Sequence, residues 1–486
     1  MSSYPIFFKP ADRTAGVSAT RARPVLVVAM LAAALACAGP RTPASPGESS
    51  HAGAPQAPQP PRSGPVRAVT PAPPGIQTLA RVSLAAVGDV LMHGAVKDAA
   101  ADHRAADNDD GFGWLWSPVA DLLSAADITF ANLETPIAPR AGQGSRSFVF
   151  NAPPSAVKAL RRAGVSLVSV ANNHMFDQGR PGFEETLARL DELGMKYVGA
   201  GPEGREAGPR IVEAKGLRIA VLAYARFFNQ SGNGCSAGAT PRGQVCQRAS
   251  LLDPERAVSD VRAAAQSADA VVVSLHWGDE YQQQPREPDV ALAHRLADAG
   301  ALLVLGHHPH VLQPIELYPR PDGGTSLIAY SLGNFVSNQS RNYVHGVTPE
   351  RVAAARDGVM LRAEIAKRDY GRGVTRVELS RADWLPLWTE NDTADPDRRA
   401  HGKTRPSIRV VSVDRALSEV RAELAALPPT LPPGQESRYV KLRQREALFL
   451  SRRTAVAAIL GEDLQAEAPP AAQAESSATS APAASY

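Results

Sequence analysis

Three histidines lie within four residues of one another, at His307, His308 and His310. The apolar run 301–305 before them is typical of a buried parallel strand, so the histidines follow the end of a strand, where open α/β sheets place their ligand sites. Imidazole nitrogens bind divalent transition metals well, and Pro309 stiffens the backbone between the last two histidines. The cluster therefore indicates a metal site, and the simpler alternative is a solvated histidine cluster on a loop.

Polar side chains of similar chemistry follow four other predicted strands. They are Asp89, Glu134, Asn173 with His174, and His276. Each has a structural alternative, since an aspartate at such a position often caps the next element. Strands and helices alternate through this region, which predicts an α/β sheet whose strand ends converge on a common site.

The remaining elements are predicted to support this sheet rather than to carry chemistry. Apolar spacing predicts one helix over residues 114–126. After residue 350 the pattern predicts strands over 359–365 and 374–379, then charged helices near 417–424 and 439–460 that pack on the body with a solvated face. We therefore divide the folded part into a domain over 81–345 and packed C-terminal elements over 346–465.

The net charge says little about binding partners. Of 486 residues, 52 are Lys or Arg and 49 are Asp or Glu, which leaves a net charge of +3 and gives no indication of nucleic-acid binding. Proline is concentrated between residues 39 and 75, and the last twenty residues are mostly Ala, Ser, Pro and Glu. Both stretches lack the apolar content of a core, so a disordered linker over 37–80 and a disordered tail over 466–486 are predicted.

The N-terminus has the pattern of an export signal. An apolar run of 13 residues, 24–36, follows Arg21 and Arg23. It is shorter than the roughly 20 residues of a membrane span but fits a signal peptide over 1–36. Small residues lead directly to Cys37, which resembles a bacterial lipoprotein signal and implies a lipid on Cys37 that anchors an exported protein in the periplasm or at the cell surface. An ordinary cleaved signal and an uncleaved anchor are the alternatives.

The other two cysteines are predicted to form a disulfide. Cys235 and Cys246 lie in a glycine-rich loop and are not part of a CxxC motif. In an oxidising compartment two such cysteines pair, and the bridge would close a short loop. Two free thiols are the alternative.

The strand-end motifs together resemble the CapA family, the bacterial poly-γ-glutamate capsule biosynthesis proteins, which are similar to calcineurin-like metallophosphatases. The motifs are Gly88-Asp89, Asn132-Leu133-Glu134, Asn172-Asn173-His174 with Asp177, His276-Trp277-Gly278 with Glu280, Gly306-His307-His308-Pro309-His310, and Ser331-Leu332-Gly333-Asn334-Phe335. The resemblance covers about residues 82–340. It implies a four-layer αββα sandwich with a C-terminal extension and a metal centre at the strand ends.

The resemblance also implies a role for each residue of the site. It makes His174 a general acid oriented by Asp177, and it implies one or two divalent ions of Mn, Fe or Zn. The implied metal ligands are Asp89, Glu134, Asn173, His276, His308 and His310. His307 is an alternative to His308, and His93, Asn132, Glu280 and Asn334 are further positions that could contact a metal or its ligands.

One departure from the metallophosphatase pattern weakens the second metal site. The superfamily's first motif is Asp-x-His, but Leu91 stands two residues after Asp89, so one metal lacks an expected ligand unless His93 replaces it. The leading hypothesis is an exported protein of capsule synthesis that hydrolyses a phosphoester or acts on an anionic polymer, together with the capsule machinery. The alternatives are a non-catalytic accessory protein that binds or exports the polymer and a general phosphodiesterase or nucleotidase.

Overall fold

The structure is a computed structural model that describes residues 75–461, except 105–108, 143, 145, 202–206, 234–247, 396–397 and 399–404. The predicted signal peptide, the lipidation site Cys37, the predicted disulfide Cys235–Cys246 and the predicted tail lie outside the described residues, as does most of the predicted linker. These features stay predictions. The folded chain begins slightly earlier than expected, because the first strand starts at Gln77 rather than at residue 81.

Fourteen strands and nine helices are assigned within the described residues. The strands are β1 (Gln77–Val90), β2 (Ile128–Leu133), β3 (Leu167–Ser169), β4 (Lys196–Val198), β5 (Arg210–Ala214), β6 (Leu217–Ala225), β7 (Ala270–His276), β8 (Ala301–His307), β9 (Ile315–Pro319), β10 (Thr325–Ala329), β11 (Asn334–Val336), β12 (Asp357–Asp369), β13 (Thr375–Asn391) and β14 (Ile408–Ser412). The helices are α1 (Gly94–Ala101), α2 (Phe112–Trp116), α3 (Ala120–Ser124), α4 (Pro154–Arg162), α5 (Gly179–Glu192), α6 (Pro254–Ser267), α7 (Glu287–Asp298), α8 (Val413–Ala425) and α9 (Glu436–Leu460). Short 3-10 helices span Ser117–Val119 and Glu350–Arg356.

The strands form two sheets of eight and six strands. The first has the order β14-β13-β12-β1-β2-β3-β4, with β11 also paired to β1. Its strands β1 to β4 run parallel, whereas β12, β13 and β14 extend it by antiparallel pairing. The second has the order β5-β6-β7-β8-β10-β9, with β6, β7, β8 and β10 parallel. The C-terminal strands are thus part of the first sheet.

Three apolar cores alternate with these layers. Strand β1 shows why, because Val82 and Leu84 belong to the core between the sheets, whereas Ala85 and Val87 belong to the core under helices α1 to α5. A third core joins the second sheet to α6 and α7 and contains Val261. The layer order is therefore helix, sheet, sheet, helix, which confirms the predicted αββα sandwich.

The helix predicted over residues 114–126 is wrong. The segment forms α2, a 3-10 turn and α3 in succession, with Pro118 in the first turn of the 3-10 helix. Pro118 has no N–H to donate to the carbonyl oxygen of Trp114, four residues earlier, and its ring crowds that carbonyl, so the α-helix ends at Trp116. Of the predicted apolar face, Trp116, Val119 and Leu123 are nevertheless buried in the first core, and Leu122 packs against it.

Two glycines allow the strand ends to approach each other closely. A β-carbon on Gly88 in β1 would lie 1.9 Å from the carbonyl oxygen of Gly333, and one on Gly306 in β8 would lie 1.8 Å from that of Tyr330. Only a residue without a side chain fits at either position. Each of these glycines immediately precedes a residue of the predicted site.

The C-terminal helices pack on this sandwich. Phe449 of α9 is buried with Val420 of α8 and Trp388 of β13, and Val456 of α9 reaches the core between the sheets. Of the helices in the described part of the chain, none combines the length and the apolar character that crossing a membrane requires.

Candidate metal centre

The ends of the central strands of both sheets meet at one buried cluster. Asp89 at the end of β1 is paired in register with Asn132 of β2 and Asn334 of β11, and His276 at the end of β7 is paired with His307 of β8. The backbone N–H of His308 donates a hydrogen bond to Asp89 Oδ2 at 3.2 Å, which joins the second sheet to the first. Residues predicted from five separate strand ends are therefore neighbours.

Two groups of buried side chains in this cluster have the spacing of metal ligands. One consists of Asp89, Glu134 and His276, and the other of Glu134, His308 and His310. Within each group the potential ligand atoms all lie within 4.8 Å of one another. Glu134 belongs to both groups, so it occupies the place of a carboxylate shared by two sites.

Asn173 adds an amide oxygen to the same cluster. Its Oδ1 lies 2.9 Å from His276 Nε2, and that nitrogen lies 3.5 Å from Glu134 Oε1. Carboxylate and amide oxygens together with imidazole nitrogens are ligands that first-row transition metals accept. The six residues predicted as ligands are thus brought together.

The contacts of His310 indicate which of its nitrogens is available to a metal. Nδ1 lies 3.1 Å from Asp89 Oδ2 and 3.1 Å from Asn334 Oδ1, and both oxygens accept hydrogen bonds. Asn334 Nδ2 donates to Gln339 Oε1 and to the carbonyl oxygen of Ala355, each at 2.8 Å, which directs its Oδ1 towards His310. Nδ1 therefore carries the hydrogen, and the unprotonated Nε2 lies on the side of Glu134, 3.9 Å from its Oε1.

Besides both ring nitrogens of His307, two buried atoms of the ligand groups have no hydrogen-bond partner among the described residues. They are Glu134 Oε1 and His308 Nδ1. A buried polar atom without a partner is rare in folded proteins and costs free energy, so such atoms call for an explanation. A cation between the two groups would satisfy both atoms, and the residues present therefore fit a divalent metal.

The electrostatics of the cluster are those of charges gathered out of water. Burial raises the pKa of Glu134 well above its usual value, and the charge of Asp89 raises it further. Burial also acts to raise the pKa of Asp89, but the imidazoles of His307 and His310 outweigh it and hold the pKa well below the usual value. Burial is the main cause that lowers the pKa of His308 to about 4, so this imidazole is neutral and able to bind a metal at pH 7.

His174 and Asp177 form a hydrogen-bonded pair beside the cluster. His174 Nδ1 lies 2.7 Å from Asp177 Oδ2, which also accepts the backbone N–H of Phe150 at 2.7 Å. The carboxylate therefore fixes the ring so that Nδ1 donates, and Nε2 lies 3.5 Å from Asn229 Nδ2 at the adjacent pocket. A histidine held in this way can carry a proton at Nε2 for an acid or base step.

The backbone between the last two site histidines is unusual. His308 and His310 have φ angles of 95° and 58°, in the left-handed region that residues with side chains seldom adopt, and Pro309 stands between them. Strain of this kind is kept where the surrounding structure holds it and is concentrated at functional sites. It allows two imidazoles only two residues apart to contribute to one group of ligands.

Neighbouring His307 and His308 lie differently. His308 lines the pocket, whereas His307 is fully buried with Nδ1 at 3.3 Å from Asp89 Oδ1 and belongs to neither ligand group. Of the two expected alternatives, this arrangement favours His308 over His307 as a ligand. His307 lies behind Asp89 and helps to keep that carboxylate charged.

The other predicted positions have distinct surroundings. Asn132 Nδ2 donates to Asp89 Oδ1 at 2.8 Å and also lies 3.2 Å from His276 Nδ1, so it orients two potential ligands. Glu280 lies exposed at the pocket. His93 Nδ1 accepts the backbone N–H of Asn338 at 3.3 Å, and its ring packs against Phe150 outside both ligand groups.

A pocket of about 580 Å³ opens beside the cluster and includes residues that sequence analysis missed. Asn173, His174 and His308 line it together with Arg226, Phe227, Asn229 and Phe148. The segment 226–229 directly follows the end of β6, so the strand-end rule that found the other residues could have found it too. Phe148 follows no strand end, and nothing in the sequence singled it out.

Comparison with known proteins gives this site a family. Residues 83–339 match the model of a family described as bacterial capsule synthesis protein PGA_cap. The chain belongs to this family. The match spans every predicted ligand from Asp89 to His310, and it confirms the resemblance drawn from the motifs.

Two Bacillus proteins are among the similar sequences. The PGA biosynthesis protein CapA of Bacillus subtilis (strain 168) is 32% identical over 311 residues, which are 63% of this chain and 74% of that protein. The capsule biosynthesis protein CapA of Bacillus anthracis is 31% identical over 272 residues, 53% of this chain and 60% of that protein.

A similar protein of Mycobacterium tuberculosis (strain ATCC 25618 / H37Rv) carries a different description. The probable polyglutamine synthesis accessory protein of that organism is 30% identical over 219 residues, 42% of this chain and 56% of that protein. The chain thus spans between about half and three quarters of the length of these relatives. The family is shared, whereas the activity of each whole relative is its own.

Proposed function

We propose that this chain acts in the synthesis of poly-γ-glutamate capsule and that it works through a divalent metal held at the buried cluster. The names of the two Bacillus relatives support the capsule role. The main support for a bound metal is that Glu134 Oε1 and His308 Nδ1 are buried without a hydrogen-bond partner and belong to groups of side chains with the spacing of metal ligands. The mixture of nitrogen and oxygen ligands favours Mn, Fe or Zn.

The reaction that this arrangement supports best is hydrolysis of a phosphoester. A divalent metal here would polarise a substrate oxygen and lower the pKa of water. His174 holds a proton at Nε2, at the pocket wall, and passes it to the leaving oxygen, while Asp177 keeps the ring oriented and stabilises its charged form. The pocket would receive the anionic substrate at the metal, and its lining combines the positive charge of Arg226 with the carboxylates of Asp279 and Glu280.

A second candidate function is a non-catalytic accessory that grips the polymer through the metal. One observation favours it: Leu91, buried with 1% exposure, occupies the position of the histidine in the metallophosphatase motif. The group that contains Asp89 therefore has fewer nitrogen ligands than a complete two-metal site. In this candidate the same cluster binds carboxylates of the polymer without turnover.

A location outside the cytoplasm fits both candidate functions. We propose that the N-terminal segment exports the chain and that a lipid on Cys37 anchors it in the membrane, next to the capsule synthesis and export machinery. The support is the apolar run 24–36 with its basic flank. Labelling of cells with radioactive palmitate tests the anchor, and a Cys37→Ser variant that still incorporates label would contradict it.

Turnover and metal content measured on the same preparations separate these functions. The full chain is loaded with Mn²⁺ and assayed with an aryl phosphomonoester, an aryl phosphodiester and nucleotides, beside His174→Ala and the control His103→Ala. His103 stacks on Trp114 and belongs to neither ligand group, so this control should behave as wild type.

Each outcome points to one function. Turnover that is lost in His174→Ala with the metal retained supports hydrolysis. Bound metal without turnover, together with retention of poly-γ-glutamate, supports the accessory role. Rapid cleavage of nucleotides indicates a general phosphodiesterase or nucleotidase, and a chain that binds no metal refutes the whole proposal.

A further inference from the structure

Two aromatic side chains at the pocket beside the metal centre are exposed to solvent. Phe148 is 84% exposed and Phe227 is 39% exposed, and both line the same pocket as His174 and His308. The ring of Phe227 meets the ring of His308 edge on, with centroids 5.3 Å apart. Large apolar side chains placed together at the opening of a polar site commonly mark a surface that binds a ligand.

The backbone at Phe148 has an unfavourable conformation, and the exposed side chain gains little stabilisation from burial to offset it. Its φ is 57°, in the left-handed region, where a bulky residue is a true outlier. The flanking residues fix it there, because Arg146 and Val149 exchange two backbone hydrogen bonds of 3.0 Å and the next N–H, of Phe150, is bound by Asp177. The carboxylate that orients His174 therefore also fixes the position of Phe148.

The lining of the pocket carries both signs of charge, from Arg226, Asp279 and Glu280, so attraction for an anionic ligand comes from the cation of the proposed function. Arg226 lies next to Phe227 in sequence, and its Nη1 lies 3.7 Å from Asp279 Oδ1 at the pocket wall. The buried cluster takes a divalent cation in the proposed function. An anionic group would thus bind at the cation, and the atoms attached to that group would lie in the pocket of about 580 Å³ that Phe148 and Phe227 help to line.

We propose that Phe148 and Phe227, here called the aromatic rim, bind the non-reacting part of the substrate, an apolar or planar segment that adjoins its anionic group. This inference rests on the proposed function and specifies its substrate class. A chain of glutamyl units has this chemistry, since methylene groups and flat amides stand beside each carboxylate, and so does an aryl phosphoester. The rim selects such ligands over a bare oxyanion of the same charge.

The test compares two phosphonates that carry the same oxyanion. Phenylphosphonate and methylphosphonate are titrated calorimetrically into the Mn²⁺-loaded full chain. Wild type is expected to bind the phenyl compound about tenfold more tightly, because a ring packed against aromatic side chains adds roughly that factor. In the Phe148→Ala/Phe227→Ala variant the preference should fall to within about twofold, with the affinity for methylphosphonate unchanged.

Two further variants serve as controls for this test. Phe148→Ala alone removes an exposed ring and should lose part of the preference without changing Mn²⁺ content, whereas Phe227 also touches His308. Tyr439→Ala removes a ring of similar exposure on α9 and should keep the full preference. The inference is overturned if wild type shows no preference, if the double variant keeps it, or if neither phosphonate binds.

A second arm distinguishes the source of the ligand and separates the two proposals. Free glutamate and poly-γ-glutamate chains of increasing length are titrated into the same preparations. A gain in affinity with chain length that the double variant loses supports the polymer as the occupant of the rim. A rim-dependent phenyl preference without binding of poly-γ-glutamate upholds the rim and refutes the polymer role, and absence of bound Mn²⁺ refutes the proposed function itself.

Discussion

Replacement of Gly88 by alanine tests whether the close approach of strand ends builds the metal centre. The added β-carbon would lie 1.9 Å from the carbonyl oxygen of Gly333 and 2.7 Å from its carbonyl carbon. Real β-carbons stay at least 3.0 Å from such atoms, so the two backbones must separate by about 1 Å. That carbonyl accepts the N–H of Asp89 at 3.0 Å, and the separation therefore moves Asp89 away from Asn334 and His310.

The expected effect has two parts. Strain in the closely packed strand ends should lower the free energy of unfolding by about 1 to 3 kcal/mol, as extra atoms in a packed interior usually do. A binding site tolerates displacements of only about 0.5 Å, so the affinity for Mn²⁺ should fall at least about tenfold. Urea denaturation measures the first part, and titration of the metal-free chain with Mn²⁺ measures the second.

Gly94→Ala is the matched control, six residues further along the chain. Gly94 opens α1, and a β-carbon there meets nothing within 4 Å, so alanine should leave Mn²⁺ affinity unchanged and stabilise the fold by roughly 0.4 to 1 kcal/mol. The reasoning is refuted if Gly88→Ala matches wild type in both stability and Mn²⁺ affinity.

Three further results are expected. Saturation with Mn²⁺ at a hundred times its Kd should add about 2.7 kcal/mol of stability, and with an unfolding entropy of about 2.1 cal/mol/K per residue over the roughly 350 described residues this raises Tm by about 4 °C; a Tm that Mn²⁺ and EDTA leave unchanged would contradict it. Asn334→Ala should weaken Mn²⁺ binding about 10- to 100-fold, because His310 loses the acceptor that fixes its tautomer; equilibrium dialysis checks this, and an unchanged Kd would remove Asn334 from that role. Arg452→Ala should lower the free energy of unfolding by about 3 to 5 kcal/mol, since the buried guanidinium pairs with Asp357 at 3.2 Å and with Glu350. The exposed control Arg453→Ala should lower it by less than about 1 kcal/mol. Equal losses of the two variants in urea denaturation would count against a buried ion pair.

The residues of the metal centre can be predicted because each of them belongs to a short pattern of adjacent residues. A buried strand followed by a polar residue can be recognised without knowing its neighbours, and parallel strands bring such ends together. Asp89, Glu134, Asn173 and His276 were therefore found one strand at a time. Their convergence in the structure follows from the sheet order rather than from any single motif.

What could not be predicted depends on contacts distant in sequence or on backbone angles. Strand β12 joins the first sheet by pairing with β1 almost 280 residues earlier, and no local pattern indicates that partner. The predicted strand over 374–379 is also too short, because β13 continues to Asn391. In the structure Pro386 lies just beyond the residues that pair with β14, so its missing N–H leaves that ladder intact.

The choice among adjacent histidines shows the same limit at the scale of one residue. His307 ends β8 and faces Asp89, whereas the left-handed backbone of His308 turns that side chain to the pocket. A sequence pattern does not reveal a positive φ at a residue other than glycine. Phe148, which also has a positive φ, is not indicated by its sequence for the same reason. Asn229 could have been predicted, because it follows the end of strand β6.

The central claim is that the buried cluster binds a divalent metal, and elemental analysis of the purified full chain tests it most directly. We predict at least one equivalent of Mn, Fe or Zn per chain, falling to a small fraction in Glu134→Ala and in His276→Ala while His103→Ala keeps its metal. A chain without these metals after exposure to them, or metal that stays in both cluster variants, would contradict it.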